Sequence, residues 1–457
     1  MTRILVVGGV AGGATAAARA KRLLPQARVA LFDRDIHISY AACGIPYCLA
    51  RSTDCDSLVA RTAEQLEQRQ GLEVFLRHEV VDVDAERGRL LVRDLESGEE
   101  REEPYDRLIL ATGATPTIPP IPGREAAGVF ALRTLTDAVE LARFLGSRAP
   151  GRAAVVGAGP IGLEMCECFC GLGMQVSLVE MAPEILPAVA PQISSSLREH
   201  LIGRGIEVFT STKVVEIASS EGAVTGLLTD GGFIPADLVL LSVGIRPQVE
   251  LASKAGLELG TAGAIRVDRQ MRTSREEILA AGDCCTSYHL VSGQEVWIPL
   301  GSTARKQGRV AGANAAGASE DFPGVLGTFI LKCFDMAVGS TGLDEKNAAA
   351  AGFDPVEVTV EGEAVPAYYA DRGTLHIRLV ADASTGRILG AQVAGDVEAN
   401  VDKRLDVLAT AVAAGISVTD LETLDLAYAP PFSTAVDLPL VAGAQASHAM
   451  ARARERG

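Results

Sequence analysis

Two stretches of this chain share one rhythm of apolar and polar positions. RILVVGGVAGGATAAARAKRLLPQARVALFDRD begins with an apolar run, passes a glycine turn, continues as a run of small helix-forming residues, and closes on a second apolar run ending in an acid. GRAAVVGAGPIGLEMCECFCGLGMQVSLVEM, beginning at Gly151, repeats that plan. Each predicts strand, helix, strand in the order of a parallel sheet. From about Thr328 the pattern changes. GTFILKCFDMAVGSTGL, VEVTVEG, TLHIRLVAD and RILGAQVAG read as alternating strands with turns, and VDKRLDVLATAVAAGIS as a helix. That predicts an antiparallel α+β domain. The expected class is α/β, with two Rossmann-like dinucleotide-binding domains followed by a C-terminal α+β domain.

The 457 residues are enough for two or three domains. The net charge of −16, from 42 basic and 58 acidic residues, argues against a nucleic-acid or anionic-membrane surface. No stretch approaches ~18 uninterrupted apolar residues, so no membrane span is expected. The opening MTRILVVGGV has too short an apolar run for a secretory leader. With nine scattered cysteines, a cytoplasmic protein with reduced thiols is expected.

The glycine turns suggest chemistry. Gly157, Gly159 and Gly162 have G-x-G-x-x-G spacing, which permits a tight turn, close approach of a pyrophosphate, and close helix–strand packing. A helix N-terminus then faces the phosphates. Glu180 ends the next strand, where a carboxylate binds ribose hydroxyls and repels a 2′-phosphate. NADH is therefore favoured over NADPH at this turn. The first turn has Gly8, Gly12 and Gly13, with Val10 where a middle glycine belongs, and Asp33 ending its second strand. LILATGATP and ILAAGDCC end apolar strands in Thr112-Gly113 and Gly282-Asp283. An acid just beyond such a glycine can reach a ribityl or ribose hydroxyl.

With these motifs in this order the chain resembles the pyridine nucleotide–disulfide oxidoreductases over nearly its whole length. GGVAGGA, SYAACGIPY and AYAPPFSTAVD are similar to motifs of the single-cysteine branch, which contains coenzyme A disulfide reductases, persulfide and polysulfide reductases, and NADH oxidases and peroxidases. Val10 matches the coenzyme A members, since the peroxide- and oxygen-reducing members usually carry His there. The resemblance implies FAD in a discontinuous domain, residues 1–115 and 244–323, NADH (NADPH as the alternative) in residues 116–243, and a homodimer through residues 324–457. It implies that Cys43 is the redox thiol beside the flavin and that Tyr428 completes the partner subunit's site. Lys306 would lie near the flavin and Glu164 near the nicotinamide, with a structural Lys306–Glu164 ion pair as the bland alternative. Thr112, Gly113 and Gly244 fall among the cofactor-binding positions. Arg19, Arg22, Ser39 and Tyr368 or Tyr369 fall where that branch contacts substrate. Three positions depart from it. Ala42 replaces an Asn, Pro160 replaces a gating Tyr, and YYADR replaces Tyr-Tyr-Pro-Gly-Ala.

Pro46 is tolerated only in a helix's first turn, so a helix is expected to start at about Cys43 or Gly44. A thiol at that end would be held as thiolate by the dipole and unpaired N–H groups. Cys48 lies five residues on. Positions so spaced on an ideal helix have Cα atoms roughly 8–9 Å apart, beyond the reach of a disulfide. The wider family does bridge a C-x4-C on a distorted helix start, but the single-cysteine match makes Cys48 a bystander or a secondary resolving thiol. Cys166, Cys168 and Cys170 read as small core residues rather than metal ligands, and Cys284 and Cys285 as structural. No role is assigned to the six histidines, and no metal is expected. The expected activity is FAD-dependent NADH reduction of coenzyme A disulfide, coenzyme A persulfide or polysulfide. The rivals are an NADH oxidase or peroxidase cycling through a Cys43 sulfenic acid and a non-catalytic flavoprotein that senses NADH.

Overall fold

The apolar runs of the first repeat become inner strands of a five-stranded parallel sheet. In the computed structural model, which describes residues 1–51, 55–370 and 373–456, its order is Ile278–Ala280, Arg107–Leu110, Arg3–Val7, Arg28–Phe32, Glu73–Phe75. Ile4, Leu5 and Val6 are fully buried, as continuous apolar runs in a two-faced sheet should be. The helix Ala11–Leu23 crosses between the first two strands. Its small residues let the helix Gly301–Ala315 lie directly on it, because Gly308 and Gly312 face the carbonyls of Gly12 and Ala16.

The second repeat builds the same thing again. Glu207–Phe209, Gln175–Val179, Arg152–Val156, Leu238–Leu241 and Val129–Ala131 form a second parallel sheet. In both sheets the repeat's first strand is central, with its βαβ partner on one side and a later strand on the other. That reversal of strand order opens a crevice at the strands' carboxyl ends, where nucleotides bind in such sheets. Each sheet has an antiparallel three-stranded companion, His78–Asp84 with Arg89–Asp94 and Glu100–Pro104, and Val214–Ser220 with Ala223–Thr229 and Gly232–Pro235. The chain leaves the first unit along Ala114–Pro116 and returns along Ile245–Pro247, and these two segments pair antiparallel.

The C-terminal region is one antiparallel sheet in the order Phe329–Cys333, Met336–Gly342, Ile388–Asp396, Thr374–Asp382, Pro355–Glu363. The helices Val401–Ala414 and Leu438–Arg456 pack against it. The α/β class with its α+β C-terminal domain is thus as expected from the sequence. Arg404, 1% exposed, is buried beneath this layer. Its Nε donates to Asp437 (3.0 Å), and its Nη atoms donate to the carbonyls of Ala399 (2.6 Å) and Ala364 (3.0 Å). This domain leans on the second unit through a Lys332–Glu167 ion pair and the Phe334 N–H, which donates to Glu167 at 2.8 Å. Among the described residues no helix is long and apolar enough to cross a membrane.

Candidate active site

The two glycine turns have matching geometry. Gly8 and Gly157 take φ of +97° and +102°, which side-chain-bearing residues rarely adopt. After each turn an acid from the next strand reaches back to it. Asp33 accepts from the N–H groups of Gly9 (2.7 Å) and Asp35 (2.8 Å). Glu180 accepts from those of Ala158 and Ala182, both at 2.8 Å. Burial raises the Asp33 pKa above the ordinary carboxylate value against these two hydrogen bonds. Gly159 caps the helix Pro160–Gly171, and a Cβ built on it would meet nothing within 4 Å. That open space beside a helix N-terminus suits a pyrophosphate. Val10, its counterpart, packs instead against the neighbouring apolar core.

Asp283 follows the strand Ile278–Ala280. Its Oδ2 accepts from Arg133 at 2.5 Å, while its buried Oδ1 has no partner. A buried carboxylate oxygen left without a donor fits a cofactor hydroxyl. Thr112 donates to the Gln248 carbonyl at 2.6 Å, and Gly113 and Gly244 have positive φ nearby at the inter-unit crossing. The described residues therefore fit FAD at the first turn and a pyridine nucleotide at the second.

Cys43 lies in a 3₁₀ turn, Ala42–Gly44, and the helix proper is only Ile45–Leu49. The thiol is free and exposed. Gly301, which begins a helix of the first unit, stands beside it, since a Cβ added there would lie 3.8 Å from Cys43 Sγ. The dipole expectation for this thiol is not met. Its pKa is raised, chiefly because the surrounding protein desolvates the sulfur, and further by the charges of Glu164 and Asp283. Arg133 pulls it down. One short helical turn is too weak a dipole to offset that desolvation together with two carboxylates.

Cys48 is neither a bystander nor a free resolving thiol. It is disulfide-bonded to Cys55, with Cα atoms 5.7 Å apart. The expectation of wholly reduced thiols therefore needs correction, and Cys55 was not singled out from the sequence. Glu164 does not pair with Lys306. It accepts from the Tyr47 hydroxyl at 3.2 Å, and burial raises its pKa. Lys306 is exposed on the helix Gly301–Ala315. Ser39 takes a left-handed φ of +50° just before the cysteine turn. Arg22 is exposed near the end of its helix, whereas Arg19 is held by Glu320 at 2.6 Å. Tyr428, Tyr368 and Tyr369 are all exposed on the C-terminal domain, and the neighbouring Tyr428 raises the Tyr368 pKa. Asp371 and Arg372 of the YYADR stretch lie outside the described residues. Among the described residues no group of three His, Cys, Asp or Glu could hold a metal. Sequence reasoning missed Arg133 and Tyr47. Tyr47 had a usable signal, since it lies four residues beyond Cys43 along the helix start expected there. Arg133, far from every motif, had none.

Residues 2–308 match the pyridine nucleotide-disulphide oxidoreductase family, and residues 329–439 match its dimerisation domain. The chain is 36% identical over 439 residues to the CoA-dependent NAD(P)H sulfur oxidoreductase of Pyrococcus furiosus, covering 96% of this chain and 97% of the relative. It is 32% identical over 433 residues to an NADH oxidase of Methanocaldococcus jannaschii, covering 94% and 95%. The solved NAD-dependent persulfide reductase from A. fulgidus superposes with a TM-score of 0.94 at 36% identity, over 99% of this chain and 84% of that one. Matches of this extent, on a fold with two nucleotide cradles and a free thiol, show that this chain belongs to the pyridine nucleotide–disulfide oxidoreductases, enzymes that use FAD and NAD(P)H.

Proposed function

We propose that this protein uses NADH to reduce coenzyme A disulfide, coenzyme A persulfide or a polysulfide at Cys43. One observation carries this reading. Cys43 is free while Cys48, its C-x4-C neighbour, is bonded to Cys55, which leaves Cys43 open to pair with a sulfur of the substrate. The names of the Pyrococcus and A. fulgidus proteins support that substrate class.

The first glycine turn with Asp33, and Asp283 through its unpartnered Oδ1, would hold FAD, which would supply the two-electron hydride chemistry that carries reducing equivalents from NADH to the Cys43 sulfur and so releases product from it. The chain's own residues do the rest. The Cys43 thiolate attacks one sulfur of the substrate's S–S bond, forming a Cys43–substrate mixed disulfide and expelling the other sulfur as a thiolate or hydrosulfide. Arg133 opposes the carboxylates that disfavour that thiolate. In the proposed homodimer, Tyr428 of the partner subunit, with Tyr368 near it, protonates the leaving sulfur. Arg22 offers an exposed cation to the phosphates of a coenzyme A chain, as does Arg19 once released from Glu320. Glu180 favours NADH over NADPH, since among the described residues its carboxylate accepts from backbone N–H groups and no cation stands on it to receive a 2′-phosphate.

An NADH-consumption screen over coenzyme A disulfide, coenzyme A persulfide, polysulfide, peroxide and oxygen tests the proposal. Oxygen belongs in it because of the NADH oxidase relative. A sulfur acceptor should give the highest kcat/KM, and a clear preference for oxygen or peroxide overturns the reading. Cys43→Ser should lose at least about a hundredfold in turnover with the sulfur acceptor. It should keep its FAD and still be reduced by NADH.

A further inference from the structure

The Cys48–Cys55 disulfide is not used by the chemistry above, yet it sits against the segment that carries Cys43. Cys48 is on the five-residue helix that follows the cysteine turn. Cys55 is 2% exposed and caps the 3₁₀ turn Asp56–Leu58. From there the chain runs back alongside residues 39–41. The Ala41 N–H donates to the Leu58 carbonyl at 2.9 Å, and the Ala60 N–H donates to the Ser39 carbonyl at 2.8 Å. Tyr40 and Val59 form an antiparallel bridge between those bonds. Leu58 also packs on the backbone of Gly44, where an added Cβ would lie 2.5 Å from its Cδ2. Ser39, at the start of the segment, is held in a left-handed conformation that costs energy unless its surroundings fix it. The two hydrogen bonds of this single bridge make a short ribbon that is marginal in water by itself.

We infer that Cys48 and Cys55 are positioning residues whose disulfide fastens this ribbon and thereby fixes the Cys43 turn, and that exchange with small thiols releases it. The inference rests on the reading of Cys43 as the reactive thiol. The exchange balances as follows. A thiolate RS⁻ attacks the half-buried Cys48 sulfur and expels the Cys55 thiolate, which takes up the proton RSH gave up. A second RSH then cleaves the Cys48–SR bond, leaving Cys48 as a thiol and RSSR as product. Two thiols are oxidised, and one protein disulfide is reduced.

The test uses the flavin-loaded enzyme with NADH present throughout, so that Cys43 stays reduced, and no acceptor. Dithiothreitol is varied, and peptide mass spectrometry gives both the bridged fraction of Cys48–Cys55 and the alkylation rate of Cys43 by iodoacetamide. The rate should rise at least about fivefold from the bridged to the opened form, the effect of losing one such main-chain hydrogen bond. A Cys48→Ala/Cys55→Ala variant should alkylate at the opened rate at every dithiothreitol level. The wild-type series stands on its own if that variant folds poorly. A Cys43 rate independent of the bridged fraction overturns the inference, as does recovery of Cys48 and Cys55 as free thiols from air-oxidised protein. Because no acceptor is present, an error about the substrate leaves this result unaffected. A Cys43 that resists alkylation in every form would instead count against the reactive-thiol reading itself.

Discussion

At the residue scale the proposed chemistry turns on what surrounds one sulfur. The thiolate of Cys43 is disfavoured by desolvation and by Glu164 and Asp283, so its titration midpoint lies above that of an ordinary thiol. Thiolate-dependent alkylation of the flavin-stripped protein should therefore still be rising where a free cysteine has levelled off. Glu164→Gln removes one of the raising charges and should shift the midpoint to lower pH, as rates of iodoacetamide labelling across pH will show. An unmoved midpoint would mean that Glu164 exerts no field at the sulfur. Gly159 offers a second prediction. Its φ of −77° suits any residue, and only open space lies where a Cβ would go. Gly159→Ala should therefore leave the melting temperature within about 2 °C of wild type. It should weaken NADH binding at least about tenfold by occupying the pyrophosphate's approach. Calorimetry of folding and of nucleotide binding separates the two effects.

At the element scale the segment bearing Tyr428 has few regular hydrogen bonds of its own. Its anchor is the buried Arg404–Asp437 pair, whose arginine also donates to the Phe432 carbonyl at 3.3 Å. Removing one member leaves an uncompensated charge in the core. Asp437→Ala should thus destabilise the protein by about 3–5 kcal/mol in denaturant unfolding, while replacing both members with apolar residues should recover much of the loss. Sequence reading resolved elements unevenly. The βαβ units were legible because strand, turn and helix signals are local and lie within one repeat. The two antiparallel companion sheets were not, because strands such as Glu100–Pro104 are charged and mostly exposed, with no apolar period to mark them. The Tyr47–Glu164 contact joins positions 117 residues apart and depends on how two units dock.

At the scale of the whole molecule, the C-terminal domain exposes Tyr368, Tyr428, Phe432 and Val436 together with a matched dimerisation domain. Light scattering should give about twice the 47.7 kDa chain mass. The proposed sharing of sites has a sharper consequence. Cys43→Ser and Tyr428→Phe homodimers should both be impaired. If Tyr428 acts across the interface, mixing them should restore about a quarter of wild-type activity, because half the dimers are mixed and one of two sites in each is intact. No recovery after subunit exchange, itself checked by mass-tagged chains, would place Tyr428 in its own subunit's site or in none.

The sequence by itself determined the two glycine turns, their terminal acids Asp33 and Glu180, and the antiparallel C-terminal sheet. Each of these follows from residues close together in the chain, where backbone sterics and hydrophobic period act directly. Only the tertiary structure decided the state of the surroundings of Cys43. It bonded Cys48 to Cys55, set Arg133 on Asp283, gave Glu164 to Tyr47 rather than Lys306, and raised the thiol pKa that the helix start was expected to lower. Charge and burial at a site are sums over every element packed around it, and a linear pattern carries no record of which elements those are.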